Sequence, residues 1–129
     1  VSKSMAAWPE KLFNTSSSSH TTTLITDSKD IEVSDKINIK APEIAENGAV
    51  VPVSVEIDLP DIKTISILVD NNPSPLTSVF NLTEQCLPFV STRVKMAETS
   101  QVVALAETHQ GKFFSAARSI KVTIGGCGG

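Results

Sequence analysis

The chemistry in this sequence is concentrated at one sulfur atom. Cys127 sits inside the run Gly125-Gly126-Cys127-Gly128-Gly129, directly after the alternating stretch Lys121-Val122-Thr123-Ile124. Glycine lacks a Cβ and visits both halves of φ space, so four of them around one residue remove nearly all local constraint on it. From Ile124 to Cys127 the chain can extend ~10 Å at ~3.3–3.6 Å per residue, enough for the thiol to leave its own domain and enter a cleft on another protein. Activated cysteines sit at helix N-termini or beside Lys, Arg, His or a metal. No flanking residue of Cys127 carries a side chain, and the nearest fixed charge, the Gly129 carboxylate, opposes thiolate formation. Cys127 is therefore expected to be a handle that other enzymes load and unload, not a self-activated nucleophile. The competing reading is a glycine tail with a stray cysteine. The symmetry of the run and its place after a strand argue against it. Prenylation is not expected, because two residues follow the cysteine where the lipid motif needs three.

Nothing else in the chain assembles into a catalytic set. Cys86, in Thr83-Glu84-Gln85-Cys86-Leu87-Pro88, reads as a free, partly buried small residue, with a disulfide to Cys127 as the alternative. Two cysteines so far apart form neither a disulfide scaffold nor a metal-ligand set. His20 lies in the hydroxyl-rich run Asn14 to Thr23 with no second ligand nearby and reads as a solvated loop residue. His109, in His109-Gln110-Gly111, reads as a turn residue and not a general base. There are no paired carboxylates with a common face, no glycine-rich phosphate loop and no Ser/His/Asp set. No further catalytic residue, metal site or cofactor is expected from these residues.

Composition narrows the partners. The chain has 129 residues and a formal net charge of −3, with a pI near 5.3. It lacks the basic footprint of a nucleic-acid or anionic-membrane binder. No run approaches the ~18 apolar residues of a membrane span, and the N-terminus lacks the charged-then-apolar pattern of a signal peptide. Because the first residue is Val1, a leader is expected to have been removed already. The expected partner is a protein or a small molecule.

The elements that must hold Cys127 are legible from periodicity. Residues 1–30 read as an appendage. Met5 to Phe13 suits a short helix, with Pro9 in a first turn and Trp8, Leu12 and Phe13 available for packing. Asn14 to Thr23 reads as a linker. From Ile31 the period becomes two: Ile31 and Val33, then Ile37 and Ile39, suit short half-buried strands. Asn47-Gly48 supplies a turn tolerant of positive φ. Val51, Val53, Val55, Ile57 and Leu59 face one way and Pro52, Ser54, Glu56 and Asp58 the other; Pro52 suits a strand start or an edge. Ile65 to Val69 is the next strand and Asp70 to Pro75 a turn cluster. Val79 to Leu82, Val90 to Met96 and Gln101 to Glu107 follow as strands. Phe114, Ala116, Ile120, Val122 and Ile124 share one face of the last. Arg118 falls on that inner face, which a bulge or a place at the sandwich rim would accommodate. About seven short strands with turns between them predict an immunoglobulin-like antiparallel β-sandwich over 31–124, followed by a flexible arm at 125–129.

The ending Val122-Thr123-Ile124-Gly125-Gly126-Cys127-Gly128-Gly129 resembles the C-terminal signature of the SoxY family, the sulfur-carrier subunit of the thiosulfate-oxidising Sox multienzyme system. Ala41-Pro42-Glu43-Ile44-Ala45-Glu46-Asn47-Gly48, leading into Val51-Pro52-Val53, and Arg93-Val94-Lys95-Met96-Ala97-Glu98-Thr99-Ser100 are similar to the same family. The similarity covers residues from about 31 to the end. It implies a carrier and not an enzyme, with Cys127 holding sulfur covalently as an S-thiosulfonate or persulfide. It also implies a heterodimer with a SoxZ-like β-sandwich, loading by a c-type cytochrome, release of sulfate by a di-manganese hydrolase, and periplasmic location after a twin-arginine leader. Two other readings stay open: a carboxylate-based carrier, as the terminal Gly128-Gly129 of ubiquitin-like proteins suggests, and a secreted sandwich dimerising through a Cys127 disulfide.

Overall fold

The computed structural model describes residues 18–83 and 85–125. Among these residues the first element is a helix, α1 (Ser18–Thr26), which begins in the stretch expected to be a linker and contains His20. Thr and Ser are indifferent helix formers, so local propensity does not explain it; packing does. Leu24 and Ile25 lie against an apolar patch of Leu68, Leu76, Val79, Leu105 and Phe113, while Thr21 and Thr26 are buried. Asp27 and Ser28 take left-handed φ values of 54° and 62°. The Ser28 N–H reaches back to the Thr23 carbonyl at 3.1 Å, closing the helix. The helix expected over Met5 to Phe13 lies outside the described residues.

The strands are β1 (Ile31–Val33), β2 (Ile37–Lys40), β3 (Ile44–Ala45), β4 (Val51–Ile57), β5 (Ile62–Val69), β6 (Leu76–Asn81), β7 (Phe89–Val94), β8 (Ser100–Thr108) and β9 (Phe113–Val122). One sheet runs β1-β9-β8-β5-β6, with β3 also on β9; the other is β2-β4-β7. The sandwich is therefore the expected one. It departs from a purely antiparallel pattern at one edge, where β1 and β3 both pair parallel to β9, at its start and its end respectively.

Alternation sorts the side chains as the period of two requires. Val51, Val53 and Val55 of β4 meet Ile65, Ile67 and Val69 of β5 and Val102, Ala104 and Ala106 of β8 between the sheets. Each fully buried Val or Ile contributes ~1.5–3 kcal/mol relative to exposure. Pro52 belongs to the central strand of its sheet. Its β7 neighbour is Arg93, but pairing with β2 stops at Ser54, so at Pro52 the strand is locally an edge. Arg118 pairs with Val102 in an unbroken β8–β9 register. Its guanidinium donates to the Ile39 carbonyl of the opposite sheet at 3.4 Å. Of the two accommodations, bulge or rim, the fold uses the rim.

Two turn expectations divide. Gly111 takes φ +82° and closes the β8–β9 hairpin, its N–H donating to the Thr108 carbonyl at 3.0 Å; His109 lies in this turn. Gly48 has no positive φ. Asn47 instead makes the turn through its side chain, Oδ1 accepting the Ala49 N–H at 2.9 Å.

Candidate functional site

Strand β9 delivers the chain to the site. Ile120 is fully buried, which fixes the register of the last turns of pleat. Past Val122 the strand ends, yet the backbone stays tied. The Thr123 N–H donates to the Ala45 carbonyl at 3.1 Å, the Gly48 N–H to the Ile124 carbonyl at 2.7 Å and the Met96 N–H to the Gly48 carbonyl at 2.6 Å. Side chains add to the clasp. Thr123 Oγ1 donates to the Glu46 carbonyl at 3.2 Å, and Thr99 Oγ1 accepts the Val122 N–H at 2.9 Å. Buried Gly48 thus links the outgoing chain on one side to Met96 on the other, and Met96 itself is fully buried.

The clasp ends at Gly125. A Cβ placed there would collide with the Ala97 carbonyl oxygen and stand 3.1 Å from its carbon. Glycine is thus required at this position for clearance against a neighbouring backbone, a demand separate from the pliancy read from the sequence. Gly126, Cys127, Gly128 and Gly129 lie outside the described residues. Ile124 departs from its expected inward face: it is 67 % exposed, beside Ile44 at 57 % and Val50 at 52 %. All three belong to the segments that meet at the clasp, and together they give the root of the arm an apolar rim.

The 95–99 segment that receives Gly125 is held by a residue the sequence reading passed over. Asn72 is 3 % exposed. Its Nδ2 donates to the Lys95 carbonyl at 2.6 Å, and its Oδ1 accepts the Ala97 N–H at 2.9 Å. Asn71 Nδ2 adds a bond to the Thr99 carbonyl at 2.9 Å. Asn71-Asn72-Pro73 was legible as a turn; that the second amide turns inward depends on the loop from β7 lying next to it.

Cys86 lies elsewhere. It is exposed, not partly buried, as are its turn neighbours Thr83, Gln85 and Leu87. The Thr83 hydroxyl lies 3.2 Å from its sulfur, and bonds from the Thr83 side chain and backbone hold the thiol below its ordinary pKa. The turn lies at the far end of the sandwich. Val51 at the start of β4 pairs with Val94 near the clasp, whereas Ile57 at its end donates to the Pro88 carbonyl at 2.9 Å. Six steps of strand separate these ends by ~20 Å, and two residues beyond Gly125 reach only ~7 Å. The alternative Cys86–Cys127 bond within one chain is out of reach. A cleft of about 1160 Å³, lined by Asp35, Glu56, Asp58, Leu87 and Phe89 among others, also opens at this far end. Among the described residues no three His, Cys, Asp or Glu side chains come together as a metal site.

The family model for "Sulfur oxidation protein SoxY" matches residues 21–127. The chain belongs to the SoxY family. Among solved structures, the sulfur carrier protein SoxY from Chlorobium limicola f. thiosulfatophilum is similar, with 40 % identity and a TM-score of 0.74, over 82 % of this chain and 96 % of that one. The superoxide reductase (neelaredoxin) from Ignicoccus hospitalis has a TM-score of 0.62 at 17 % identity, over 71 % of this chain and 94 % of its own. A reduced neelaredoxin from Archaeoglobus fulgidus has 0.53 at 12 %, over 66 % and 86 %. These last two share the fold alone. A search of curated proteins returns no match.

Proposed function

We propose that this chain is the sulfur-carrying subunit of a thiosulfate-oxidising system and that Cys127 bears the cargo. The observation that carries the reading is the clasp at the C-terminal root. Backbone bonds tie the chain as far as Ile124, and the cysteine follows three residues later between glycines. A body that ties its chain to within three residues of one thiol suits a protein that presents a single atom to several active sites. Membership of the SoxY family supports the chemistry. Loading joins the thiolate to the outer sulfur of thiosulfate and releases two electrons, which a c-type cytochrome partner accepts. Hydrolysis by a di-manganese partner then adds water, releases sulfate and two protons, and leaves a persulfide on Cys127.

The apolar rim of Ile44, Val50 and Ile124 is the surface we assign to protein contact at the arm, with a SoxZ-like subunit as the standing partner. Location in the periplasm, after export by a twin-arginine leader, belongs to the same proposal. The sandwich fold speaks against the ubiquitin-like carboxylate mechanism, and a Cys127-linked dimer is expected as a resting form under oxidising conditions. Intact mass after incubation with thiosulfate and the partner enzymes tests the reading. A thiosulfate adduct should form on the parent and on Cys86→Ser and be absent from Cys127→Ser. Adducts that persist without Cys127 contradict it.

A further inference from the structure

We propose that Asn72 and Gly125 are positioning residues that aim the arm, fixing the direction in which the chain leaves the sandwich. The purpose of the aim rests on the carrier reading; the geometry does not. Asn72 presents its amide to the 95–97 backbone as a neighbouring strand would, donating to the Lys95 carbonyl at 2.6 Å and accepting from the Ala97 N–H at 2.9 Å. Two satisfied bonds on a side chain only 3 % exposed make that rung hard to displace, since breaking it strands buried polar groups. The rung holds the Ala97 carbonyl at the place where Gly125 passes. There the approach is so close that any Cβ on Gly125 would strike that oxygen. The Gly48 bridge between Ile124 and Met96 ties the same two segments from a second side. The outgoing chain therefore runs in a slot with one wall set by Asn72 and one residue type able to fit it. The first glycine of the arm serves this clearance.

The two native cysteines make the test direct, because Cys86 is exposed at the far end. Nitroxide labels on Cys86 and Cys127 of the full chain report the direction of the arm as a distance distribution by pulsed electron resonance. Gly125→Ala and Asn72→Ala should each shift its mean or widen it by at least ~3 Å, about one residue of extension. Gly126→Ala should leave the mean in place. Ile65→Ala, which weakens the core far from the root, should lower the melting temperature without moving the distribution. Should Asn72→Ala fail to fold, Gly125→Ala decides, since Gly125 is itself exposed. Superposition of the Gly125→Ala distribution or that of a folded Asn72→Ala on the parent's, or an equal displacement in Ile65→Ala, overturns the proposal. No sulfur loading enters the measurement, so failure of the carrier reading leaves its result untouched.

Discussion

The two cysteines of this chain illustrate how surroundings divide roles between identical side chains. Cys86 has an exposed thiol with a hydroxyl at 3.2 Å, and the hydrogen bonds from Thr83 favour its thiolate. Cys127 has glycine on both sides and so no flanking side chain to activate it. A lowered pKa means that the thiolate fraction rises at lower pH. The rate of iodoacetamide alkylation at Cys86 should therefore reach half its plateau below the pH at which a free thiol does. Thr83→Val should move that midpoint upward, because it removes the side-chain bond that comes first among the causes. An unmoved midpoint contradicts this account of Cys86. Low pKa alone does not make a carrier: the thiol sits in a short turn, closed by the Cys86 N–H donating to the Thr83 carbonyl at 3.0 Å, and lacks reach.

At the scale of elements, β9 and the arm form, on the proposed reading, one device in two parts, a strand locked by its register and a tether of small residues. Gly126→Val and Gly128→Val should lower turnover with partner enzymes while changing the melting temperature little, because a branched side chain stiffens and thickens the tether. Parental turnover in both would contradict the argument from reach. Most of the strands were legible because alternation of Val and Ile with polar residues maps directly onto the two faces of a sheet, and β4 carries that pattern without interruption. The rest depended on tertiary neighbours. Helix α1 has a Ser/Thr-rich sequence that signals a linker until Leu24 and Ile25 find the outer face of the larger sheet. Asn72 reads as a turn residue until the loop after β7 lies against it. Ile124 continues the alternation of β9 in sequence, but the strand ends at Val122, so the residue that should face the core stands at the arm's rim. The candidate sulfur was legible from residue type and spacing alone; the clasp was not, since it consists of bonds among three segments far apart in sequence, 45–48, 96–99 and 122–124.

Across the whole molecule the sandwich separates two ends. The arm root, with its exposed Ile44, Val50 and Ile124, occupies one. The Cys86 turn and the acidic, partly apolar cleft occupy the other. Oxidation of the dilute protein should therefore give no internal Cys86–Cys127 bridge, and non-reducing electrophoresis should show only monomer and disulfide-linked dimer; a compact oxidised monomer contradicts the separation. The inter-sheet core keeps the ends apart. Ile65→Ala, at a fully buried position, should destabilise the fold by about 2–5 kcal/mol in chemical denaturation. A loss well below 1 kcal/mol would contradict the close packing at that site. Such rigidity gives the tether a fixed origin. The most direct measurement of the central claim is peptide mapping by mass, without reductant, of protein isolated from its native source during growth on thiosulfate. The account expects sulfur adducts on the C-terminal peptide that contains Cys127 and an unmodified Cys86 peptide. Adducts on Cys86, with Cys127 bare, would contradict it.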